Sequence, residues 1–287
     1  MWLIGIIGFF VFGTTASLCR RYLGEKVPGS NHHVNLVFYL FFLLPAAILL
    51  WFFLPHSTVP SVNTIMLLVA TSLIWPVYFL LSYRASHDID ASVYSMMLDS
   101  STVITVLTAY VVLQERLQPY QLVGIVALIA SGIVAVWPDL RKRSRSNQLG
   151  IIAALASVAL LGFGIVVDKL ALNASELGTY FLYSWGIQTI FIVLISYKYL
   201  KSFPAFLKHS PQMRLVYLYG GSGVLRSLSF SMAIFLAASP SLVNAASAFV
   251  TTTILLAAYW VLRERDNMSY KIAGAVLGLA GLLIVAI

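Results

Sequence analysis

The sequence predicts an all-α integral membrane protein whose ten transmembrane helices form two inverted five-helix repeats. Three observations lead to this fold class: an apolar composition, ten apolar segments long enough to cross a bilayer, and a similarity between the two halves of the chain. Of the 287 residues, 60% are hydrophobic and only 10% are charged, whereas an average soluble domain carries roughly 25% charged residues. So much apolar surface cannot be hidden inside a water-soluble globule, and a membrane protein is therefore indicated.

The ten apolar segments match the length of about 20 residues that a transmembrane helix needs. They are 2–20, 34–54, 62–82, 91–113, 120–137, 149–170, 179–200, 215–237, 242–262 and 270–287. Helices and closed barrels are the structures that satisfy their backbone polar groups in lipid. Because the sequence lacks the alternating pattern of barrel strands, we expect a helical bundle.

The two halves of the chain resemble each other most in their fourth apolar segments. The stretch that begins at Ser92 aligns without a gap with the stretch that begins at Ser241. Further aligned pairs are Gly13 with Gly162, Arg20 with Lys169, Gly124 with Gly274 and Ala130 with Ala280. These matches indicate an internal duplication.

The domain organisation follows from this duplication. We expect a first five-helix repeat over 1–140, a basic linker over 141–148 and a second five-helix repeat over 149–287. Because each repeat has an odd number of spans, the two repeats must cross the membrane in opposite directions. Inverted repeats are typical of transporters, whose substrate site lies near the middle of the bilayer where the halves meet.

The distribution of basic residues predicts an orientation. Fifteen of the 18 lysines and arginines fall on the side reached after the odd-numbered spans, two fall on the other side, and Arg226 lies within a span. The positive-inside rule places the basic side in the cytoplasm and both termini outside. The net charge of +8 therefore indicates membrane orientation and not a nucleic-acid partner.

Each half closes with a similar phrase. LQERLQPYQLVGIVALIASGIVAV begins at residue 113, and LRERDNMSYKIAGAVLGLAGLLIVAI begins at residue 262. Glu115–Arg116 and Glu264–Arg265 fall at predicted turns on opposite membrane faces, where each glutamate precedes the positive end of a helix dipole. The pairs are too far apart to share a catalytic site, so they mark the duplicated fold.

With these two closing stretches, the chain resembles the drug/metabolite transporter superfamily in its EamA-type branch. The opening stretches FGTTASLCRR at 12–21 and GFGIVVDKL at 162–170 are similar to the opening helix of that family's repeats. The resemblance implies a ten-helix protein that exports or exchanges small metabolites, without naming a substrate. It also implies both termini in the cytoplasm, which is the opposite of the orientation that the charges predict.

Two charged residues fall near the centre of predicted spans, Asp99 in the fourth and Arg226 in the eighth. A charged side chain at that depth costs at least about 2.5–3.5 kcal/mol, so each requires a reason. Arg226 is predicted either to contact an anionic group of the solute, which suits the guanidinium fork, or to pair permanently with Asp99. In the first case Asp99 is a candidate protonation site that couples transport to pH.

Polar side chains at helical spacing accompany both charges and predict a water-accessible cavity between the halves. The alternative is that these side chains only let helices approach and hydrogen-bond to each other. The three stripes are Ser92, Ser95, Asp99, Thr102 and Thr105; Ser241, Asn244, Ser247 and Thr251; and Ser222, Arg226 and Ser229.

An aromatic pair beside a proline forms a further candidate. Pro76 lies within the third span and can kink the helix, so that Trp75 or Tyr78 points into the cavity; plain packing is the alternative. Asp168 and Lys169, near the end of the sixth span, are expected to form a local ion pair.

No enzymatic site is expected. GGSG at 220–223 matches a serine-protease pattern, but such a nucleophile needs a nearby base, and the five histidines are predicted to lie in loops. No cofactor or metal site is expected, because the chain has one cysteine, scattered histidines and no nucleotide-binding loop.

The sequence thus favours a secondary transporter of the plasma or bacterial inner membrane for a small polar or amphipathic metabolite, either an amino-acid-like or another anionic or zwitterionic solute. Its expected partners are that solute and the lipid bilayer, and the expected state is a monomer or homodimer. A lipid-intermediate or lipophilic-drug carrier is the alternative transporter, and a membrane enzyme or structural subunit is the alternative class.

Overall fold

A computed structural model of the chain is built from helices. It describes residues 2–26, 31–57, 59–114, 118–141, 145–210, 212–237, 239–248, 250–263 and 266–286. Within these ranges there is no β-strand, so the all-α fold predicted from the sequence is confirmed for this part of the chain. Glu115–Arg116 and Glu264–Arg265 lie outside the described residues.

The long helices in the described ranges are named α1 to α10 in chain order, and each overlaps one of the predicted apolar segments. They are α1 (Trp2–Lys26), α2 (Asn31–Phe53), α3 (Val62–Asp88), α4 (Ala91–Val112), α5 (Pro119–Arg141), α6 (Arg145–Ala174), α7 (Leu177–Ile195), α8 (Met213–Leu236), α9 (Pro240–Val261) and α10 (Met268–Ala286). A short helix, Phe203–His209, lies between α7 and α8.

In the part of the chain that the structure describes, seven helices are long and apolar enough to cross a membrane, namely α1, α2, α3, α4, α6, α7 and α9. Their outward faces carry large hydrophobic side chains, such as Ile4 at 73% exposure and Trp260 at 72%. Such surface is expected where lipid replaces water. The chain is therefore a multi-pass integral membrane protein.

Two local interruptions position polar groups inside the bundle. Helix α4 consists of the segments Ala91–Asp99 and Ser101–Val112, with a turn at Ser100 between them, so Asp99 lies at the end of a helical segment in mid-span. Helix α3 contains Pro76, whose missing N–H removes one backbone hydrogen bond next to Trp75.

The helices pack in a pattern that crosses between the two halves. The most extensive contacts are those of α1 with α8, α5 with α10, and α3 with α6. In each pair, one helix comes from the first half of the chain and the other from the second. The interior is therefore shared between the halves.

The connections between helices form separate sets of contacts on the two faces of the bundle. On one face, the Lys271 Nζ lies 2.8 Å from the Asp90 Oδ2, and the Arg21 guanidinium lies 3.5 Å from the Asp90 Oδ1. On the other face, the Ser57 backbone N–H donates to the Thr179 Oγ1 at 2.8 Å. We call the face with Asp90 and Lys271 the basic face.

Candidate functional site

Two adjoining cavities lie between the halves of the bundle. The larger encloses about 620 Å³ of space free of protein atoms, its mouth included. The smaller encloses about 430 Å³. Five residues line both cavities: Phe9, Leu161, Arg226, Asn244 and Ser247.

Arg226 is the charged residue at the junction of the two cavities. It lies on α8 with its guanidinium 5.0 Å from the centre of the Phe9 ring, a cation–π contact with α1. Among the described residues no ion pair involves Arg226. Asp99 lines the smaller cavity as well, yet the two charges do not form an ion pair in this structure. The guanidinium therefore keeps donors available to the cavities.

Asp99 is held by a hydrogen bond across the two halves. The Thr251 Oγ1 of α9 donates to the Asp99 Oδ1 at 2.7 Å. The carboxylate is buried and lies at the wall of the smaller cavity, beside Ser95. A proton taken up by Asp99 would weaken its role as acceptor, because hydrogen bonds to charged groups are the stronger ones.

Asn244 links α9 to α4 at the junction of the cavities. Its Nδ2 donates to the Thr105 Oγ1 at 2.8 Å and to the Ser101 Oγ at 3.3 Å. The neighbouring Ser247 also lines both cavities. A polar seam thus runs between the fourth helix of each half, as the sequence stripes suggest.

Asp168 is a cavity residue that sequence reasoning missed as a candidate. It lines the larger cavity, where the Trp75 Nε1 donates to its Oδ2 at 3.1 Å and the Thr71 hydroxyl donates to its Oδ1. The predicted span ended near it, at residue 170, whereas α6 continues to Ala174. With a rise of about 1.5 Å per residue, the side chain lies well inside the bundle.

The predicted ion pair between Asp168 and Lys169 is wrong. The Lys169 Nζ donates instead to the backbone carbonyls of Ile234 and Ala237, at 3.0 and 2.7 Å. Adjacent residues point about 100° apart around a helix, so the two side chains reach different helices. Free carbonyls at a helix end attract cations, and Lys169 stabilises the end of α8 in this way.

Trp75 and Tyr78 both line the larger cavity. The two rings meet edge to face with their centres 5.4 Å apart. Trp75 directs its N–H to Asp168, while the hydroxyl of the fully buried Tyr78 lies near the guanidinium groups of Arg20 and Arg226. The pair therefore brings an indole and a phenol to the cavity wall.

Six residues of the predicted stripes line neither cavity: Ser92, Thr102, Thr105, Ser222, Ser229 and Ser241. The Ser222 hydroxyl donates to the carbonyls of Leu218 and Tyr219 in its own helix, and neither cavity includes Ser222 or Thr102. Ser229 packs against α1, where a Cβ added to Gly8 would lie 2.6 Å from the Ser229 Oγ. On α8, Ser227 and Ser231 line the larger cavity instead.

The prediction that the five histidines lie in loops is wrong for four of them. His32, His33, His87 and His209 lie in helices near their ends, and His56 lies in a loop. Among the described residues no group of three or more His, Cys, Asp or Glu side chains is arranged to hold a metal ion.

A helical membrane bundle with buried charges at cavities between its two halves has the features of a membrane transporter. The comparison with protein families agrees: residues 1–137 match the EamA-like transporter family. This match covers the first half of the chain, and the resemblance to the drug/metabolite transporter superfamily is confirmed.

A likeness in fold extends over the whole chain. One solved structure, titled only as the crystal structure of a protein, superposes with a TM-score of 0.67 at 14% sequence identity. The superposition covers 98% of this chain and 95% of that one. No curated protein matches the sequence.

Proposed function

We propose that the protein is a secondary transporter of the plasma membrane that moves a small polar or amphipathic solute with an anionic group by alternating access. The class includes amino-acid-like and other anionic or zwitterionic metabolites, and the mode is export or exchange. In this proposal α5, α8 and α10 also cross the membrane, which gives ten spans. Residues 1–140 and 149–287 form the two inverted units, joined by 141–148, and the working unit is a monomer or homodimer.

The packing of equivalent helices supports the inverted arrangement. The first helix of each half packs against the third helix of the other, α1 on α8 and α6 on α3. Equivalent residues also form matching contacts between the first helix of one half and the fourth helix of the other: Gly13 faces Val250, and Gly162 faces Ser101. Since 101 and 250 differ by the same 149 residues as 13 and 162, the two contacts are related by the duplication.

Arg226 is the observation on which the proposed solute class depends. Its guanidinium lines both cavities and has no ion pair among the described residues. A cation inside a membrane bundle needs a partner for its charge, and a carboxylate or phosphate of the solute would provide one in a bidentate geometry.

The remaining lining residues favour a solute that also has an apolar part. Seven aromatic side chains border the larger cavity, namely Phe9, Trp75, Tyr78, Phe79, Tyr180, Trp185 and Phe230. Apolar walls with a few placed polar groups are typical of small-molecule sites. The same walls would also suit a lipophilic drug or a lipid intermediate, which is the alternative occupant.

Flux measurements in liposomes test this function. A library of radiolabelled amino acids, organic acids and phosphorylated metabolites is screened for saturable exchange by the purified protein. For the solute that is transported, Arg226→Gln is expected to weaken binding roughly 10- to 150-fold, because a hydrogen bond to a charged group contributes about 1.5–3 kcal/mol. Arg226→Lys retains the charge and is expected to restore part of the affinity.

The matched control is Arg214→Gln, because Arg214 lies on the same helix but is exposed. It is expected to bind and transport like the parent protein. Parental transport by a correctly inserted Arg226→Gln variant would contradict the role of Arg226. Transport of neutral lipophiles alone would favour the drug or lipid carrier.

A further inference from the structure

A second arginine inside the bundle has no ion-pair partner among the described residues. Arg20, on α1, is 3% exposed, and its Nε has no hydrogen-bond partner in the part of the chain that the structure describes. Its guanidinium lies near the Tyr78 hydroxyl and 5.2 Å from the centre of the Tyr94 ring. Burying a guanidinium whose neighbours are tyrosine rings costs free energy, so the presence of Arg20 requires an explanation.

The duplicated half provides a structural reference for this position. Lys169, which aligns with Arg20, donates to carbonyls at the end of α8. In the first half, Arg21 makes the corresponding contact with a helix end: its Nη1 donates to the carbonyls of Ser86 and His87 at the end of α3. One cation is sufficient to stabilise the helix end in each half, and Arg20 is therefore additional.

Phenol groups surround Arg20. The rings near its guanidinium are those of Tyr78, Tyr94 and Tyr219. Tyr78 and Tyr219 are buried; the Tyr78 hydroxyl lies beside the arginine guanidiniums, and the Tyr219 hydroxyl has no hydrogen-bond partner among the described residues. The Tyr94 hydroxyl is occupied, because it donates to the Ser82 Oγ at 2.6 Å.

The cluster thus contains three donors that bond to no charged acceptor, the Arg20 Nε–H and the two phenol O–H groups, and the acceptors beside them are neutral phenol oxygens. Buried polar groups are almost always hydrogen-bonded. A group that accepts several hydrogen bonds and carries a negative charge would satisfy all three donors together. A carboxylate or phosphate oxyanion has this chemistry.

We propose that Arg20, Tyr78 and Tyr219 form a second binding site for the oxyanion of the transported solute, next to the Arg226 site and closer to the basic face. The proposal rests on the proposed function, because it assigns the site to the same solute. Ser17 lines the smaller cavity, and Arg20 follows it by one helical turn toward the end of α1, where Arg21 meets Asp90.

Tyr78 connects the two sites. It lines the larger cavity, and the charges of Arg226 and Arg20 both act on it. When the bundle opens toward the basic face, the oxyanion passes from Arg226 to Arg20 while the Tyr78 hydroxyl stays within reach. A stepwise exchange of counter-charge avoids leaving the anion unpaired in a low-dielectric interior.

The test uses the full chain in lipid nanodiscs with two oxyanion probes, trifluoroacetate for carboxylates and monofluorophosphate for phosphates, observed by fluorine NMR. The parent protein is expected to bind the preferred probe at two saturable sites. Arg20→Gln and Arg226→Gln are each expected to remove one site, and the double variant both. Tyr219→Phe, which keeps the ring, is expected to weaken one site by roughly 2- to 13-fold. The control Arg84→Gln, an exposed arginine on α3, is expected to retain two sites.

The outcomes separate the two proposals. Two sites remaining in a folded Arg20→Gln variant would overturn the second site, and loss of one site in Arg226→Gln would still support the first. Two sites in Arg226→Gln with one in Arg20→Gln would contradict the proposed role of Arg226 and leave the Arg20 site supported. If Arg20→Gln fails to fold, parental affinity at both sites in Tyr219→Phe would overturn the second site.

Discussion

At the scale of residues, each buried charge of the bundle has its own environment. Lys169 and Arg21 bind carbonyls at helix ends, and Asp168 accepts from Thr71 and Trp75. Because a charge inside a membrane protein needs a partner, the two arginines without an ion pair among the described residues, Arg226 and Arg20, are the residues that a solute would have to satisfy.

Protonation of Asp99 would affect the contact between the two halves of the bundle. Its carboxylate accepts from Thr251 across the interface, so protonation would weaken a link between the moving units. We expect exchange by the parent protein in liposomes to vary with pH, and Asp99→Asn, which fixes a neutral side chain, to give a flat pH profile. The exposed Asp266 gives the control: Asp266→Asn should keep the parental profile.

Asp168 is the competing carboxylate in this experiment. It also lines a cavity but bonds to α3, through Thr71 and Trp75. A profile that becomes flat in Asp168→Asn and stays sloped in Asp99→Asn would contradict the role given to Asp99 and move the proton site to Asp168.

Sequence reasoning could locate Asp99 and Arg226 because a charged residue in the middle of an apolar run can be recognised from the sequence alone. Asp168 and Arg20 were harder to find, since both fall near predicted helix ends, where charges are common. Their burial results from helices that continue further than the apolar runs, to Ala174 in α6 and Lys26 in α1. The Tyr219 hydroxyl has no hydrogen-bond partner among the described residues because of tertiary packing. This environment cannot be predicted from the sequence.

At the scale of elements, small residues determine how closely helices approach. Helices α5 and α10 pack along a line where the Ser131 Oγ donates to the Gly274 carbonyl at 2.7 Å. A Cβ added to Gly281 would lie 2.8 Å from the Gly124 carbonyl oxygen. Because the Gly274 and Gly124 carbonyl oxygens at these contacts belong to the backbone, the interface cannot adjust there by turning a side chain.

Gly281→Ala is therefore expected to destabilise the protein. Overpacking costs typically about 1–3 kcal/mol, which corresponds to a fall in melting temperature of roughly 2–10 °C for a chain of this size. The measurement is thermal unfolding in detergent. The control is Gly186→Ala, because an added Cβ there meets nothing within 4 Å; its melting temperature is expected to stay the same or rise slightly. Equal stability of the two variants would contradict close packing of α5 on α10.

At the scale of the whole molecule, the connections separate into two faces. The last turns of α1, the residues after α3 and the first turn of α10 meet around Asp90, through Arg21 and Lys271. The residues after α2 and the first turn of α7 meet on the opposite face, where the Gly178 N–H donates to the Pro55 carbonyl at 2.9 Å. The alternation expected of consecutive membrane spans is thus present in these contacts.

The helical architecture was accessible from the sequence because apolar length alone predicts where helices fall. The pairing of helices was not, since lipid-facing and interior surfaces are both apolar in a membrane bundle. Helix α1, for example, exposes Ile4 and Ile7 and buries Ile6 and Phe9, and hydropathy does not distinguish these positions. The close approach of α1 to α8 depends on Gly5 and Gly8 meeting Ser229.

The orientation of the bundle in the membrane provides the last prediction. Fifteen of the 18 basic residues belong to the ends reached after odd-numbered spans, and Arg21 and Lys271 already meet on one face. Because lysine and arginine are retained on the cytoplasmic side, we expect a reporter fused after residue 287 to be external, and one inserted beside Lys198 to be cytoplasmic. Phosphatase and fluorescent-protein fusions at both positions measure this.

A cytoplasmic reporter after residue 287, with an external one at Lys198, would instead support the orientation that the family resemblance implies and would mean that the basic face is external. The Arg20 site would then lie toward the outer opening, and the order in which a solute meets the two arginines would be reversed.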